Sequence, residues 1–437
     1  MEKQRQKYNF EIWGGIECTL NRVNDRYFDQ LFLTGHYSRP GDIERIASLG
    51  VKKLRYPVLW EIHEPEPNCV IDWTWASNHL SLLQQNNMKP IVGLVHHGSG
   101  PLHCDLSSSE FAKGLSRYAS QVAKKFPWVE HYTPVNEPLT TARFCGLYGF
   151  WYPHMRDDLM FFRILFNQIK GIVLSMREIR KVNSHAQLVQ TEDLSKTYSD
   201  PFLQYQADFE NERRWLTYDL LCGKVNRHHA LWDYLRWVGL SEREILFFEE
   251  NACVPDVAGF NYYLTSERFL DEEIDLYPEH LHGGNHRDRY VDTEAIRIDH
   301  GYASGLSVLL QEAWERFHLP MALTEVFLSC TPDEQVRWVY DVLQECEKAE
   351  SNGVHLQAVT WWALFGEYGW NNLVTSGANA EYESGAFDIR AHEPVETLLG
   401  TFLKEFRDPV SFSQEWLEAK GWWRREERFH HRIQCEV

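Results

Sequence analysis

The sequence predicts an α/β protein folded as a single (β/α)8 TIM barrel with extended loops at the C-terminal face of its strands. Three observations carry this expectation. Eight short, β-rich apolar runs recur along the 437 residues, stretches of helical period fill most of the gaps between them, and no Gly/Ser-rich linker or sequence repeat divides the chain. Alternation of strand and helix implies parallel strands with right-handed crossovers, and eight such units close into a ring. An open doubly wound sheet is the competing arrangement.

The runs are residues 11–16 (EIWGGI), 53–58 (KLRYPV), 90–96 (PIVGLVH), 131–136 (HYTPVN), 187–191 (QLVQT), 256–262 (DVAGFNY), 321–324 (MALT) and 357–361 (QAVTW). The helical stretch DIERIASLG precedes the second run and stops at Gly50, and WASNHLSLLQQNNMKP precedes the third and stops at Pro90. SSSEFAKGLSRYASQVAKKF opens with serines suited to capping and leads to the fourth; ASGLSVLLQEAWERFHLP leads to the seventh. TPDEQVRWVYDVLQECEKAESNG leads to the eighth, with Thr331 or Asp333 as cap and Gly353 as stop. Residues 263–301, including the charged LHGGNHRDRY, read as a long mobile loop over the rim. The barrel is assigned to residues 1–408. Residues 409–437, with QEWLEAKGWWRREERFHHR, form an aromatic, locally basic tail that wraps the barrel, or else meets a protein partner or a second copy of the chain.

Composition narrows the function. Lys and Arg number 44 against 63 Asp and Glu, a formal charge of −19, which repels polyanions and argues against nucleic acid. The start, MEKQRQKYNF, lacks the apolar core of a signal peptide, and no uninterrupted apolar run approaches the ~18 residues of a membrane span. Nine cysteines lie scattered without a C-x-x-C pair, so reduced thiols and a cytoplasmic location are expected. Seventeen tryptophans suit either a filled core or a pocket that stacks flat sugar faces.

In such barrels chemistry sits where the strands finish. The fourth run ends in Asn136-Glu137 and the seventh leads into Thr324-Glu325, on opposite sides of an eight-membered ring. Two facing carboxyl groups suit glycoside cleavage: one protonates the leaving oxygen, and the other attacks the anomeric carbon or activates water. A carboxylate satisfied by backbone N–H groups at a strand end is the bland alternative for Glu137. Likewise Arg55 suits a structural ion pair, His96 and His97 suit core packing, and the His228-His229 and His430-His431 pairs suit solvent. No metal site and no cofactor are expected.

Over nearly the whole barrel, from FEIWGG through Phe387-Asp388, the chain resembles glycoside hydrolase family 1, the β-glucosidase-like members of a clan of retaining barrel glycosidases. YTPVNEPLT is similar to the family's acid/base segment, LPMALTEV to its nucleophile segment, KLRYPVLW to its Arg-bearing second strand, GFNYY to its Asn-Tyr-Tyr and TWWALFGEYGW to its eighth-strand signature. The resemblance implies Glu137 as general acid/base and Glu325 as nucleophile. It implies that Asn136 bonds the sugar 2-hydroxyl, that Arg55 and Tyr263 keep Glu325 ionised, that His96 reaches a ring hydroxyl, and that Trp362 and Trp370 shape the sugar subsite.

The departures bear on the substrate. Asn21 stands where the family has a sugar-reading Gln, His97 replaces a Trp, and Gly369 replaces an acidic residue, with Glu367 nearby but out of register. Lost hydroxyl contacts leave buried polar groups unpaired, so an ordinary β-glucoside is disfavoured: the substrate lacks a hydroxyl, carries a different group at the outer carbons, or is held from elsewhere, by Glu17 or Glu192. The loop TTARFCGLYGFWYPH, with Arg143, Cys145 and Trp151, is placed to roof the pocket. The reading is a retaining β-glycosidase acting on a β-linked carbohydrate of unknown identity. A transglycosylase with the same glutamates, a non-catalytic sugar-recognising partner in carbohydrate or sugar-nucleotide metabolism, and a metal-dependent barrel hydrolase are the alternatives.

Overall fold

The computed structural model describes residues 8–67, 69–298 and 303–430. The charged start Met1–Lys7, the last residues of the 263–301 stretch and the side chains of His430 and His431 lie outside them. Eight parallel strands close the barrel: β1 (Glu11–Gly15), β2 (Lys53–Pro57), β3 (Lys89–Gly93), β4 (His131–Thr133), β5 (Gln187–Asp193), β6 (Val257–Tyr262), β7 (Met321–Val326) and β8 (Leu356–Trp361). Each strand pairs with its neighbours in sequence, and β1 pairs with both β2 and β8, which closes the ring.

Helices lie between the strands as the periodicity requires. They include α1 (Asp42–Ser48), α2 (Thr74–Gln85), α3 (Glu110–Lys125), α4 (Asp158–Val182), α5 (Glu242–Glu250), α6 (Leu306–Phe317), α7 (Pro332–Ser351) and α8 (Leu398–Glu405). The serines before α3 cap it weakly: Ser109 at the N-cap makes no side-chain bond, and only Ser108 Oγ accepts from Glu110 N, at 3.3 Å. Thr331 likewise starts α7 without a side-chain bond, Pro332 taking the first helical position. The 25-residue α4 is, among the described residues, the one helix long and apolar enough to cross a membrane; most of its apolar surface is buried within the protein, and it packs along α3.

Trp13, Ile91, Val189, Val257, Ala322 and Ala358 fill one buried cluster inside the ring, and the larger core lies between strands and helices. β6 and β7 approach closely. A Cβ added to Gly259 would lie 2.6 Å from both Gln190 O and Thr324 Cγ2, so only glycine fits there.

Three expectations need correction. β3 and β4 end before His96 and Asn136, which continue the pairing only as isolated bridges, His96 to Asn136 and Asn136 to Thr191. The 263–301 region is no irregular loop. Strands Glu267–Asp271, His282–Gly284 and Arg289–Glu294 join Lys196–Ser199 in a four-stranded sheet, and Asn285 Oδ1 turns the hairpin by accepting from Arg287 N and Asp288 N. Thirdly, His229 is not solvated: its side chain is 6% exposed and its Nε2 lies 3.2 Å from Asp219 Oδ2, beside Arg316.

Among the described residues, those from 409 to 430 pack in part on α7. Trp423 is buried edge-on against Trp338 and donates Nε1–H to Asp341, while Arg425 pairs with Glu334 at 3.0 Å.

Candidate active site

Glu137 stands where β4's extension turns into a short helix, Pro138–Ala142, and it holds a left-handed backbone (φ 41°, ψ 63°) that costs a non-glycine residue ~1 kcal/mol or more. Glu192, on β5, anchors the turn. Its carboxyl accepts from Leu139 N (2.8 Å), Thr140 N (3.3 Å), Thr140 Oγ1 (3.1 Å) and Thr217 Oγ1 (2.7 Å). Those bonds occupy it, so Glu192 is a helix cap rather than the sugar ligand expected from sequence.

Across the barrel, a register shift between Leu323 and Glu325 puts Glu325 within β7. Arg55 Nη1 donates to Glu325 Oε1 at 2.6 Å and to Thr324 O at 2.8 Å, and Tyr263 donates its hydroxyl to Glu325 Oε2. A further link joins the two glutamates. Asn261 Nδ2 donates to Glu137 Oε1 at 2.6 Å, and Thr324 Oγ1 donates to Asn261 Oδ1 at 2.7 Å. Asn261 went unnamed among the expected site residues, although it lies in the GFNYY motif that supplied Tyr263.

Asn136 is fixed by its acceptor side. Its Oδ1 accepts from Arg55 Nη2 (2.6 Å) and Thr191 Oγ1 (2.8 Å), which turns Nδ2 toward His96 Nε2 (3.1 Å) and His97 Nε2 (3.4 Å). Both imidazoles therefore present a bare Nε2 lone pair to that amide. Burial and the Arg55 charge favour this: His97 is lowered to about 3 and His96 is lowered well below its ordinary value, so both are neutral. His97 Nδ1 donates to Thr141 Oγ1 at 2.9 Å, and its Nε2 lies 3.6 Å from Glu137 Oε2. A neutral imidazole makes that a contact with a protonated carboxyl, not an ion pair.

The two glutamates differ in surroundings. Burial raises Glu137 well above the usual carboxylate range, and the charges of Glu325, Glu192 and Asp193 push the same way. Burial also raises Glu325, but Arg55 and Tyr263 pull it down. Burial outweighs these two in the net shift, although both favour the ionised form. What they set is the order, in which a shared proton resides on Glu137 and leaves Glu325 the anion.

Aromatic rings pack around these groups. Trp362 stacks on His96 (5.4 Å between centroids, 8° between planes), lies under the Arg55 guanidinium and donates Nε1–H to Glu17 Oε2 at 3.0 Å. Trp370 stands edge-on to His97 at 5.8 Å and beside Trp151, whose Nε1 donates to Leu373 O at 2.8 Å. The buried Nε1 of Trp370 has no partner. Asn21 is fully buried; its Nδ2 donates to Val374 O at 2.9 Å and its Oδ1 has no partner. Glu367, read from sequence as out of register, lies near Glu325 and Tyr263 and is paired with Glu383; burial, then Glu17, raise it well above the usual range. Nothing short-range in the sequence signals that pair, since the two residues meet only through the strand pairing of 367–368 with 382–383. Among the described residues no three His, Cys, Asp or Glu side chains converge as a metal site.

Comparison with known proteins agrees in fold. The β-glucosidase from Thermotoga maritima in complex with cyclophellitol superposes with a TM-score of 0.74 over 94% of this chain and 100% of that chain, at 16% identity. The same enzyme in complex with galacto-hydroximolactam gives 0.74 over 93% and 99%, also at 16%. In sequence, the β-glucosidase A of Thermotoga maritima is 26% identical over 155 residues, 33% of this chain and 34% of that protein. A 1,4-β-D-glucan glucohydrolase of Thermotoga neapolitana is 24% identical over 155 residues, 33% of this chain and 36% of the relative. The match thus spans about a third of the length of these curated relatives. No family model matches the chain.

Proposed function

We propose that the chain is a divergent member of glycoside hydrolase family 1, a retaining β-glycosidase of the cytosol that cleaves a β-linked carbohydrate with Glu325 as nucleophile and Glu137 as acid/base. One observation carries the reading: two buried carboxyl groups stand near enough for the charge of Glu325 to raise Glu137, and only Glu325 is held by a guanidinium and a phenol.

In the first step Glu325 attacks the anomeric carbon while Glu137 gives its proton to the leaving oxygen. The bond to the leaving group breaks and a glycosyl ester forms on Glu325. Esterification removes the Glu325 charge that helps to raise Glu137, so Glu137 now takes a proton from water, and that water opens the ester. Arg55 then receives the released carboxylate. The neutral His97 stands beside the Glu137 carboxyl without competing for its proton.

The test removes the nucleophile. Glu325→Gly, supplied with a panel of aryl β-glycosides and β-glycosyl fluorides and sodium azide, is expected to regain turnover of an activated β-glycoside and to release an α-glycosyl azide, because azide fills the vacated space and attacks from that face. A β-configured azide would move the nucleophile assignment to another residue, and no turnover of any donor by wild type or rescued variant would leave the pocket as a binding site.

A further inference from the structure

Glu61 lies outside the pocket, yet the loop that carries His97 rests on it. The residue is 4% exposed, in the helical turn Trp60–His63 after β2. Its Oε1 accepts from Gly100 N at 2.9 Å, and its Oε2 is buried with no partner. From the other side Tyr27 donates to Gly100 O at 2.6 Å, so Gly100 is clamped through both of its backbone polar groups. The fit is close. A Cβ at Gly98 would lie 2.0 Å from Glu61 Oε1, although the Gly98 backbone is not among the left-handed glycines, so the carboxyl is the obstacle. Burial raises Glu61 to about 7, a cost the fold carries to keep an acceptor beneath this loop.

The loop leaves β3 through His96 and His97, and His97 itself is left-handed (φ 55°). Its ring is held by Thr141 on the far side and stands 3.6 Å from the Glu137 carboxyl. A residue in that backbone region keeps its conformation only where the surroundings enforce it. Gly98 and Gly100, immediately after it, are the residues Glu61 packs under and bonds.

We infer that Glu61 is a positioning residue for proton transfer: by holding the Gly98–Gly100 turn it fixes the His97 imidazole against the Glu137 hydroxyl. It touches neither sugar nor reacting atoms. The inference rests on the proposed function only for its kinetic arm.

Two readouts separate it from a merely structural role. The first needs no substrate: the nitrogen chemical shifts of the His97 side chain, assigned by their loss in His97→Gln, are expected to move in Glu61→Ala and in Gly98→Ala but to stay in Glu61→Gln, whose amide oxygen still accepts from Gly100. Unmoved shifts in both alanine variants would overturn the inference, whether or not any donor is turned over. The second is leaving-group dependence. Glu61→Ala is expected to lose roughly tenfold or more on poor leaving groups and little on activated ones, as misplacement of an acid's partner should. Equal losses on all donors would count against positioning. Should Glu61→Ala fail to fold, the cycle of Gly98→Ala with Glu61→Asp decides: the shift caused by Gly98→Ala should shrink once the shorter side chain withdraws the carboxyl it strikes, and an additive cycle would sink the link.

Discussion

At the scale of single residues, the two proposed catalytic glutamates are told apart by partners, not by burial. Both are nearly inaccessible, at 5% for Glu137 and 3% for Glu325, and burial alone pushes both upward. Arg55 and Tyr263 on one and only the Asn261 amide on the other create the asymmetry that acid and nucleophile require. Glu137→Gln keeps the Asn261 bond in shape but has no proton to give. It is therefore expected to lower kcat/KM by about 100-fold or more on alkyl or sugar leaving groups and far less on dinitrophenyl or fluoride donors, measured across a leaving-group series. A flat series would remove the acid role. Sequence exposed Arg55, Asn136, Glu137, Tyr263 and Glu325 together, because strand ends in a closed barrel converge whatever the loops do. It did not reveal how Asn21 and Glu192 are bonded, because which backbone group lies opposite an amide or carboxyl is set by the fold. In Asn21 that is Val374 O, 353 residues away in sequence.

At the scale of elements, the barrel strands were legible because each is a local apolar run, while their ends were not. β4 supplies only three residues of regular ladder, and Asn136 is carried onward by bridges to His96 and Thr191. The 263–301 sheet was illegible for the same reason: its strands are short and gain partners from Lys196–Ser199, a segment that looks like a loop by itself. The Pro138–Ala142 helix is the element on which the position of Glu137 depends, and at five residues it cannot stand alone. Glu192 holds it. Glu192→Ala strands the Leu139 and Thr140 N–H groups in a buried site at a cost of about 1–3 kcal/mol each, so denaturant unfolding is expected to report a loss of that order. Glu192→Gln, with an oxygen still able to accept, should lose less. Because the Glu192 charge also helps to raise Glu137, the Gln variant is expected to shift the alkaline limb of kcat/KM to lower pH. An unmoved limb would separate the cap from the proton chemistry.

At the scale of the whole molecule, buried titratable groups of two kinds set stability against pH, and their signs are opposite. His97 and His131 are lowered by burial, to about 3 and about 4, from an ordinary 6.5. The unfolded chain binds protons that the folded one refuses, so their contribution is complete above about 6.5 and is lost as the pH falls toward those lower values. Glu61 is raised from 4.5 to about 7. Here the folded chain holds a proton that the unfolded one releases, so its contribution is complete below about 4.5 and is lost as the pH rises through about 7. Between 4.5 and 6.5 the two kinds oppose each other; from 6.5 to 7, of these three groups only Glu61 still changes. The summed contribution of these three groups is therefore expected to peak near pH 6.5 and to fall from there toward pH 7. Glu61→Gln removes one titrating group without removing the acceptor for Gly100. Its stability relative to wild type should thus improve on going from pH 5 to pH 7, by something on the order of 2 kcal/mol at most, since a tenfold difference in proton affinity between folded and unfolded chain corresponds to about 1.4 kcal/mol. A constant difference between the two proteins across that range would mean that the carboxyl beneath the His97 loop ionises as freely as one in water.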